Sequence, residues 1–246
     1  MGTDLNSEDK VLRADTLLNV DVVGLGKDFD SRVVSSIVSP PLVVRLDGAS
    51  FGKALAGFTW PRDDTVHKAL ISAAKELMRR FSSDLALVIS DELSVFLLSY
   101  VPFGGREFKL VSSMAGLASA VVSSALSRVL YFDARVIPLR DSCNDILRYL
   151  LYRVRVGFNN YHVEIAQRGS LIPRNATPHI NNVIKALGGA KLSWESLGTC
   201  LVRSRVELMG VDRRSGAPIK YVRRRIIEVN PLEVINDLYQ KCPQAK

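Results

Sequence analysis

The order of strand and helix patterns between Leu42 and Pro138 constrains this chain most. The run Leu42-Val43-Val44-Arg45-Leu46-Asp47 is apolar and β-rich, and Gly48 permits a sharp exit from it. Pro61-Arg62-Asp63-Asp64 has the composition of a helix start. Val66, Ala69, Leu70, Ala73, Leu77, Met78 and Phe81 then recur at helical spacing. Leu85 to Ser90 and Ser94 to Tyr100 read as strands, with Asp91-Glu92-Leu93 at the tip of their hairpin. Leu110, Met114, Leu117, Val121, Ala125 and Val129 mark a second amphipathic helix, and Phe132 to Pro138 a further strand. The order β, α, β, β, α, β is the split βαβ, ferredoxin-like arrangement. It is an α+β fold, expected here as an antiparallel sheet with helices on one face.

Beyond Pro138 the spacing predicts a helix over 144–167, a loop with a short helix over 170–190, and a helix over 193–201. Arg205 to Val211 and Lys220 to Val229 read as strands of a C-terminal β-hairpin turning through Ser215-Gly216-Ala217-Pro218. The expected organisation is an N-terminal arm, 1–40, a core, 41–140, and a helical and hairpin region, 141–246, within the same domain. Hydrophobic residues make up 47% of the 246 and charged residues 24%, which excludes wholesale disorder. No uninterrupted apolar run reaches the ~18 residues of a bilayer span, so no membrane is expected. Cys143, Cys200 and Cys242 are odd in number and far apart. They suggest neither a zinc site nor a disulfide framework, and point to a reducing cytoplasm.

The formal net charge is +8, and between Arg203 and Arg225 eight basic residues face two acids. Such a surplus favours a polyanionic partner such as nucleic acid, with a solvated hairpin face as the alternative.

The chemistry lies in Asp47, Asp91 and Glu92. In a split βαβ sheet the first and third strands are neighbours, so Asp47 and Asp91 can converge across 44 positions. Two carboxylates that close repel unless a cation joins them. Mg²⁺ suits one or two carboxylates plus phosphate oxygens, and two such ions serve phosphoryl transfer, as in a polymerase palm. The alternative is three solvated turn acids. Gly48-Ala49-Ser50-Phe51 follows directly, and small residues there let backbone N–H groups approach a triphosphate. Walker spacing is absent. Arg106 and Lys109 open a helix where cations can pair with phosphates, or simply be solvated. Ser90 can bond a phosphate or stabilise the turn. His67, His162 and His179 lack ligand spacing.

Arg45-Leu46-Asp47-Gly48-x-x-Phe51, Trp60-Pro61-Arg62-Asp63, Ser90-Asp91-Glu92-x-Ser94, Lys109-Leu110-Val111-Ser112 and Phe132-Asp133-Ala134-Arg135-Val136 occur in that order. Together they resemble the tRNA-histidine guanylyltransferase superfamily, including its guanylyltransferase-like members. Val206 to Asp212 and Lys220 to Arg224 resemble its closing hairpin. The resemblance implies a palm-like catalytic domain that adds nucleotides in the 3′–5′ direction to the 5′ end of tRNA. It makes Asp47, Asp91 and the Gly48 carbonyl ligands of two Mg²⁺ ions, and Glu92 the adjoining catalytic acid. Gly48, Ala49, Ser50, Phe51, Ser90, Arg106 and Lys109 would hold GTP or ATP. Asn159, Asn160, Arg213, Arg214, Lys220, Arg223 and Arg224 would hold tRNA, across a homotetramer built from dimers. The family's His-x-Asn-Asn element stands here as Gly157-Phe158-Asn159-Asn160, without the histidine, and the family's upstream Gln and Asp are absent, with Arg153 and Arg155 in that region.

The leading expectation is therefore an Mg²⁺-dependent nucleotidyltransferase for tRNA 5′-end repair or guanylylation. Two alternatives remain: a tRNA-binding paralogue without catalysis, and a palm-type nucleotide cyclase.

Overall fold

A computed structural model describes residues 23, 24, 27, 36–140, 143–176 and 178–242. The chain divides into two units, 1–35 and 36–246. Of the first, only Val23, Gly24 and Lys27 are described, and all three are helical. Most of the expected N-terminal arm thus lies outside the described residues.

The elements of the second unit follow the sequence pattern closely. Strand β1 spans Leu42–Gly48 and is followed by a single helical turn, α1, Phe51–Ala54. Helix α2, Asp64–Arg80, is capped by Asp63, whose side chain accepts from the Thr65 and Val66 amides. Strands β2, Leu85–Ile89, and β3, Glu92–Leu97, follow. Helix α3 spans Glu107–Leu126 and strand β4 Phe132–Pro138. Helix α4, Asn144–Arg168, is the longest element. Helices α5, Ile180–Ala186, and α6, Trp194–Leu197, lead into β5, Thr199–Val211, and β6, Pro218–Val229. Helix α7, Pro231–Lys241, ends the described chain. Its Asn230 cap and N-terminal proline are a start signal that the strand reading of the region passed over.

One sheet carries all six strands in the order β4-β1-β3-β2-β5-β6, and every neighbouring pair is antiparallel. The first four strands form the split βαβ core. Its helices, however, cover both faces rather than one. Leu42, Val44, Leu46, Leu93, Val95 and Leu97 pack with α2 and α3. Val43, Leu87, Ile89 and Phe96 pack with Tyr149, Leu150 and Val154 of α4 and with Ile235 of α7. The cause is legible in β2 and β3, which are buried at every position and so need cover on both sides.

Three local readings change. The segment expected as a helix over 193–201 is helical only to Leu197, and Gly198 then turns the chain into β5. Gly198 has φ +77°, and a Cβ there would lie 2.3 Å from the Val88 carbonyl, so the turn sits directly on β2. Glu92 and Leu93 belong to β3, which leaves a hairpin turn of two residues, Ser90 and Asp91. Cys143 and Cys242 are disulfide-bonded across 99 positions, against the expectation of none, and tie the start of α4 to the end of α7. Cys200 is free and buried. Helix α3 has the length and apolar content of a membrane span, with a mean hydropathy of 1.4. Its Leu110, Met114, Ala118, Val122 and Leu126 stripe is buried in the core instead.

Candidate active site at the sheet rim

The register of β1 sets two rows of charge on the α4 face of the sheet. Directly opposite residues of antiparallel strands share a face. Asp47 pairs with Glu92 on one side and Asp133 on the other, which makes a row of acids at the rim. One pair inward, Arg45 lies opposite Arg135 and Ser94. Arginines two residues away from acids on the same strand thus answer them. Arg45 Nη2 donates to Asp47 Oδ2 at 3.0 Å, and Arg135 Nη2 lies 3.4 Å from Asp133 Oδ1.

The hairpin turn brings Asp91 beside this row. The Gly48 N–H donates to the Asp91 carbonyl at 3.2 Å. Ser90 and Ser50 both adopt positive φ, 56° and 59°, which non-glycine residues rarely do. Such strain at two turns that meet at one rim is typical of functional sites. Burial pushes the Asp91 carboxyl above its ordinary range, and the charge of Asp47 pushes it in the same direction. The two acids that the sequence paired are therefore brought within mutual electrostatic reach.

Glu92 is placed differently. It is 2% exposed, and its carboxylate is gripped by Arg153 of α4, with Nε donating to Oε1 at 2.8 Å and Nη2 to Oε2. Arg45 Nε lies 2.7 Å from Oε2, a charge contact whose N–H is off line for a hydrogen bond. Ser94 Oγ donates to Oε1 at 3.2 Å and is itself within 2.8 Å of the Tyr149 hydroxyl. Burial still raises the Glu92 carboxyl, despite both guanidiniums.

Asp91 and Ser90 line a cavity of about 270 Å³. Its apolar and aromatic wall includes Phe51, Phe58, Trp60 and Trp194, and its polar wall Arg62, Asn160 and Glu164. His67 stacks on Trp194 at 4.3 Å and contacts the Thr199 hydroxyl through Nε2 at 2.9 Å. Arg62 Nη1 lies 3.4 Å from Glu164, and Arg168 sits over the Trp60 ring at 3.3 Å.

The remaining expected residues are dispersed. Phe51 faces this cavity, whereas Gly48 and Ala49 donate their N–H groups to the Asp91 and Tyr131 carbonyls. Lys109 lies over the Phe103 ring at 5.1 Å, in a separate surface depression. Arg106 is exposed and donates to the Phe103 carbonyl at 3.2 Å. Asn159 accepts from Arg155 at 2.9 Å and does not line the cavity that Asn160 lines. Arg213, Arg214, Lys220, Arg223 and Arg224 are exposed on the β5–β6 ribbon. Sequence reasoning missed Arg62, Arg153 and Glu164. Glu164 follows Asn160 by four residues, so helical spacing alone places the two on one face.

The comparisons add to this geometry. Residues 26–140 match the family model described as Thg1, tRNAHis guanylyltransferase. This segment is similar to the Thg1 family, whose members are tRNA guanylyltransferases and so nucleotidyltransferases. Among solved structures, a bacterial tRNAHis guanylyltransferase (Thg1)-like protein in complex with ATP superposes with a TM-score of 0.69 at 19% identity, covering 88% of this chain and 96% of that one. A bacterial Thg1-like protein in complex with GTP gives 0.59 at 18% identity, over 82% and 91% of the two chains. The tRNAHis guanylyltransferase of Saccharomyces cerevisiae gives 0.61 at 20%, over 71% and 91%. These likenesses show that the Thg1 fold extends well beyond residue 140. No curated protein matches.

Proposed function

We propose that this protein is a divalent-metal-dependent 3′–5′ nucleotidyltransferase acting on the 5′ end of tRNA. The observation that carries the reading is the meeting of Asp47 and Asp91 at one rim, where burial and the charge of Asp47 raise the cost of ionising Asp91. Among the described residues no three His, Cys, Asp or Glu side chains cluster to hold a metal. Two carboxylates and the Gly48 carbonyl are nevertheless hard oxygen donors, and Mg²⁺ takes few protein ligands when substrate phosphates complete its shell. Two ions bound there would polarise the attacking 3′-hydroxyl and steady the leaving group.

The chain's own residues do the rest in this reading. The triphosphate of GTP or ATP runs along Gly48 to Phe51 and past Ser90, with Arg106 and Lys109 near the α3 start. The aromatic wall of the cavity receives a base by stacking, and Arg62, Asn160 and Glu164 offer donors and acceptors to its edge. The complexes of the bacterial relatives with ATP and with GTP support a nucleotide in this fold. The basic β5–β6 ribbon holds tRNA, across a homotetramer, and a cytoplasmic location accompanies that substrate.

The test uses Mg²⁺, labelled nucleotides and a panel of 5′-truncated tRNAs. Asp47→Asn and Asp91→Asn are expected to lose nucleotide addition to background while retaining their circular dichroism spectra. Addition retained in both variants overturns the assignment.

A further inference from the structure

The charge row at the rim assigns Glu92 a role other than ligand. Glu92 does not line the cavity that Asp91 faces, and all of its described contacts are to Arg153, Arg45 and Ser94. Arg45 stands between two anions. Its Nε meets Glu92 at 2.7 Å and its Nη2 meets Asp47 Oδ2 at 3.0 Å. On the other side of Asp47, Asp133 is answered by Arg135. The four groups Arg153, Glu92, Arg45 and Asp47 therefore form an alternating chain from α4 to the rim.

We infer that Glu92 is a positioning residue that shares Arg45 with Asp47, so that one Asp47 oxygen stays available to a divalent cation, and that Arg153 of α4 anchors Glu92 for this task. The inference rests on the proposed metal role of Asp47 and Asp91. Its physical basis is competition. Arg45 carries a full charge with a planar fork that grips a carboxylate bidentately when nothing else holds it. With Glu92 in place, the guanidinium is divided, and only Oδ2 of Asp47 is bonded to it. Without Glu92, Arg45 has Asp47 as its nearest anion, closes on both oxygens and displaces the cation. The bidentate Arg153 grip keeps the Glu92 carboxylate fixed where Arg45 meets it. A ligating Glu92 would instead have to give up both guanidiniums.

The experiment is a calorimetric titration of the full chain with Mn²⁺ alone, with thermal melting as a check on folding. Glu92→Gln is expected to weaken Mn²⁺ binding roughly 10- to 100-fold, the usual cost of losing an outer-shell partner. Adding Arg45→Met is expected to restore affinity to within a few-fold of wild type. If Glu92→Gln fails to fold, Glu92→Gln with Arg153→Met replaces the buried ion pair together and strands Arg45 in the same way. Kinetically, Glu92→Gln raises the Mg²⁺ concentration needed for half-maximal rate, and saturating Mg²⁺ restores kcat.

Two results overturn the inference: unchanged Mn²⁺ affinity in Glu92→Gln, or affinity that Arg45→Met fails to restore, which makes Glu92 a ligand. Asp47→Asn separates this failure from that of the underlying reading. If Asp47→Asn binds Mn²⁺ like wild type, the metal site itself is misplaced.

Discussion

The rim of the core and the β5–β6 ribbon are built from the same residue types and treat charge in opposite ways. At the rim every guanidinium has an anion: Arg45 two, Arg153 and Arg135 one each. On the ribbon Arg205 lies opposite Arg224, and Arg223 and Arg225 lie opposite Val206 and Ser204. Among the described residues none of these arginines has an ion-pair partner, although Arg203, where the ribbon leaves the core, reaches the Ser83 and Met78 carbonyls. Like charges directly across a strand pair are unfavourable unless something outside the chain answers them. The rim thus uses charge to hold side chains in place, whereas the ribbon leaves it for a polyanion.

Variants separate the two regions, beginning with those that act on folding stability. The disulfide closes a loop of about 100 residues on the α4 side of the core, so Cys242→Ser or reduction is expected to cost up to about 4–5 kcal/mol in urea unfolding. A change below about 1 kcal/mol would mean that the clip closes on an already fixed geometry. Burial holds His67 down to about 4, against 6.5 in the unfolded chain. The unfolded state binds the extra proton first, so this stability is present above pH 6.5 and is lost as pH falls towards 4. The loss amounts to about 3 kcal/mol at most, from ~1.4 kcal/mol per unit. His67→Gln should flatten the stability profile between those values, and an unchanged slope would assign the pH dependence elsewhere.

Gly157 offers a smaller effect. A Cβ at this position would stand 2.1 Å from Ile89 Cδ1, so Gly157→Ala is expected to destabilise by about 1–3 kcal/mol through overpacking. The ribbon should respond least in stability and most in salt dependence. Removing Arg205, Arg223 and Arg224 together is expected to leave the melting temperature within about a degree or two, since exposed surface changes cost little. The same variant should weaken tRNA binding and flatten its log–log salt slope by up to about 2–3, one unit or slightly less per phosphate contact. A salt slope equal to wild type would remove the ribbon from the tRNA site.

Much of this arrangement was legible in the chain. The βαββαβ order needed only local periodicity, and Asp47 and Asp91 could be paired because that order makes β1 and β3 neighbours. Gly157 shows where local reading stops. In the resemblance it stands where a family histidine is missing, and only the structure shows that the small residue lets α4 press against Ile89 of β2. Glu92 was read as a hairpin-tip acid because its neighbours are acidic and turn-like. Its partner Arg153 lies 61 positions away on a helix of a different segment.

The sequence by itself determined the strand and helix order, the two rim acids and the excess of positive charge, because periodicity, turn residues and net charge are properties of adjacent residues. Only the tertiary structure decided that helices cover both faces of the sheet, that Cys143 meets Cys242, and that Arg45 divides itself between Glu92 and Asp47. Those outcomes depend on which distant groups reach the same few ångströms, where burial removes water and each charge must take whatever counter-charge the packing supplies.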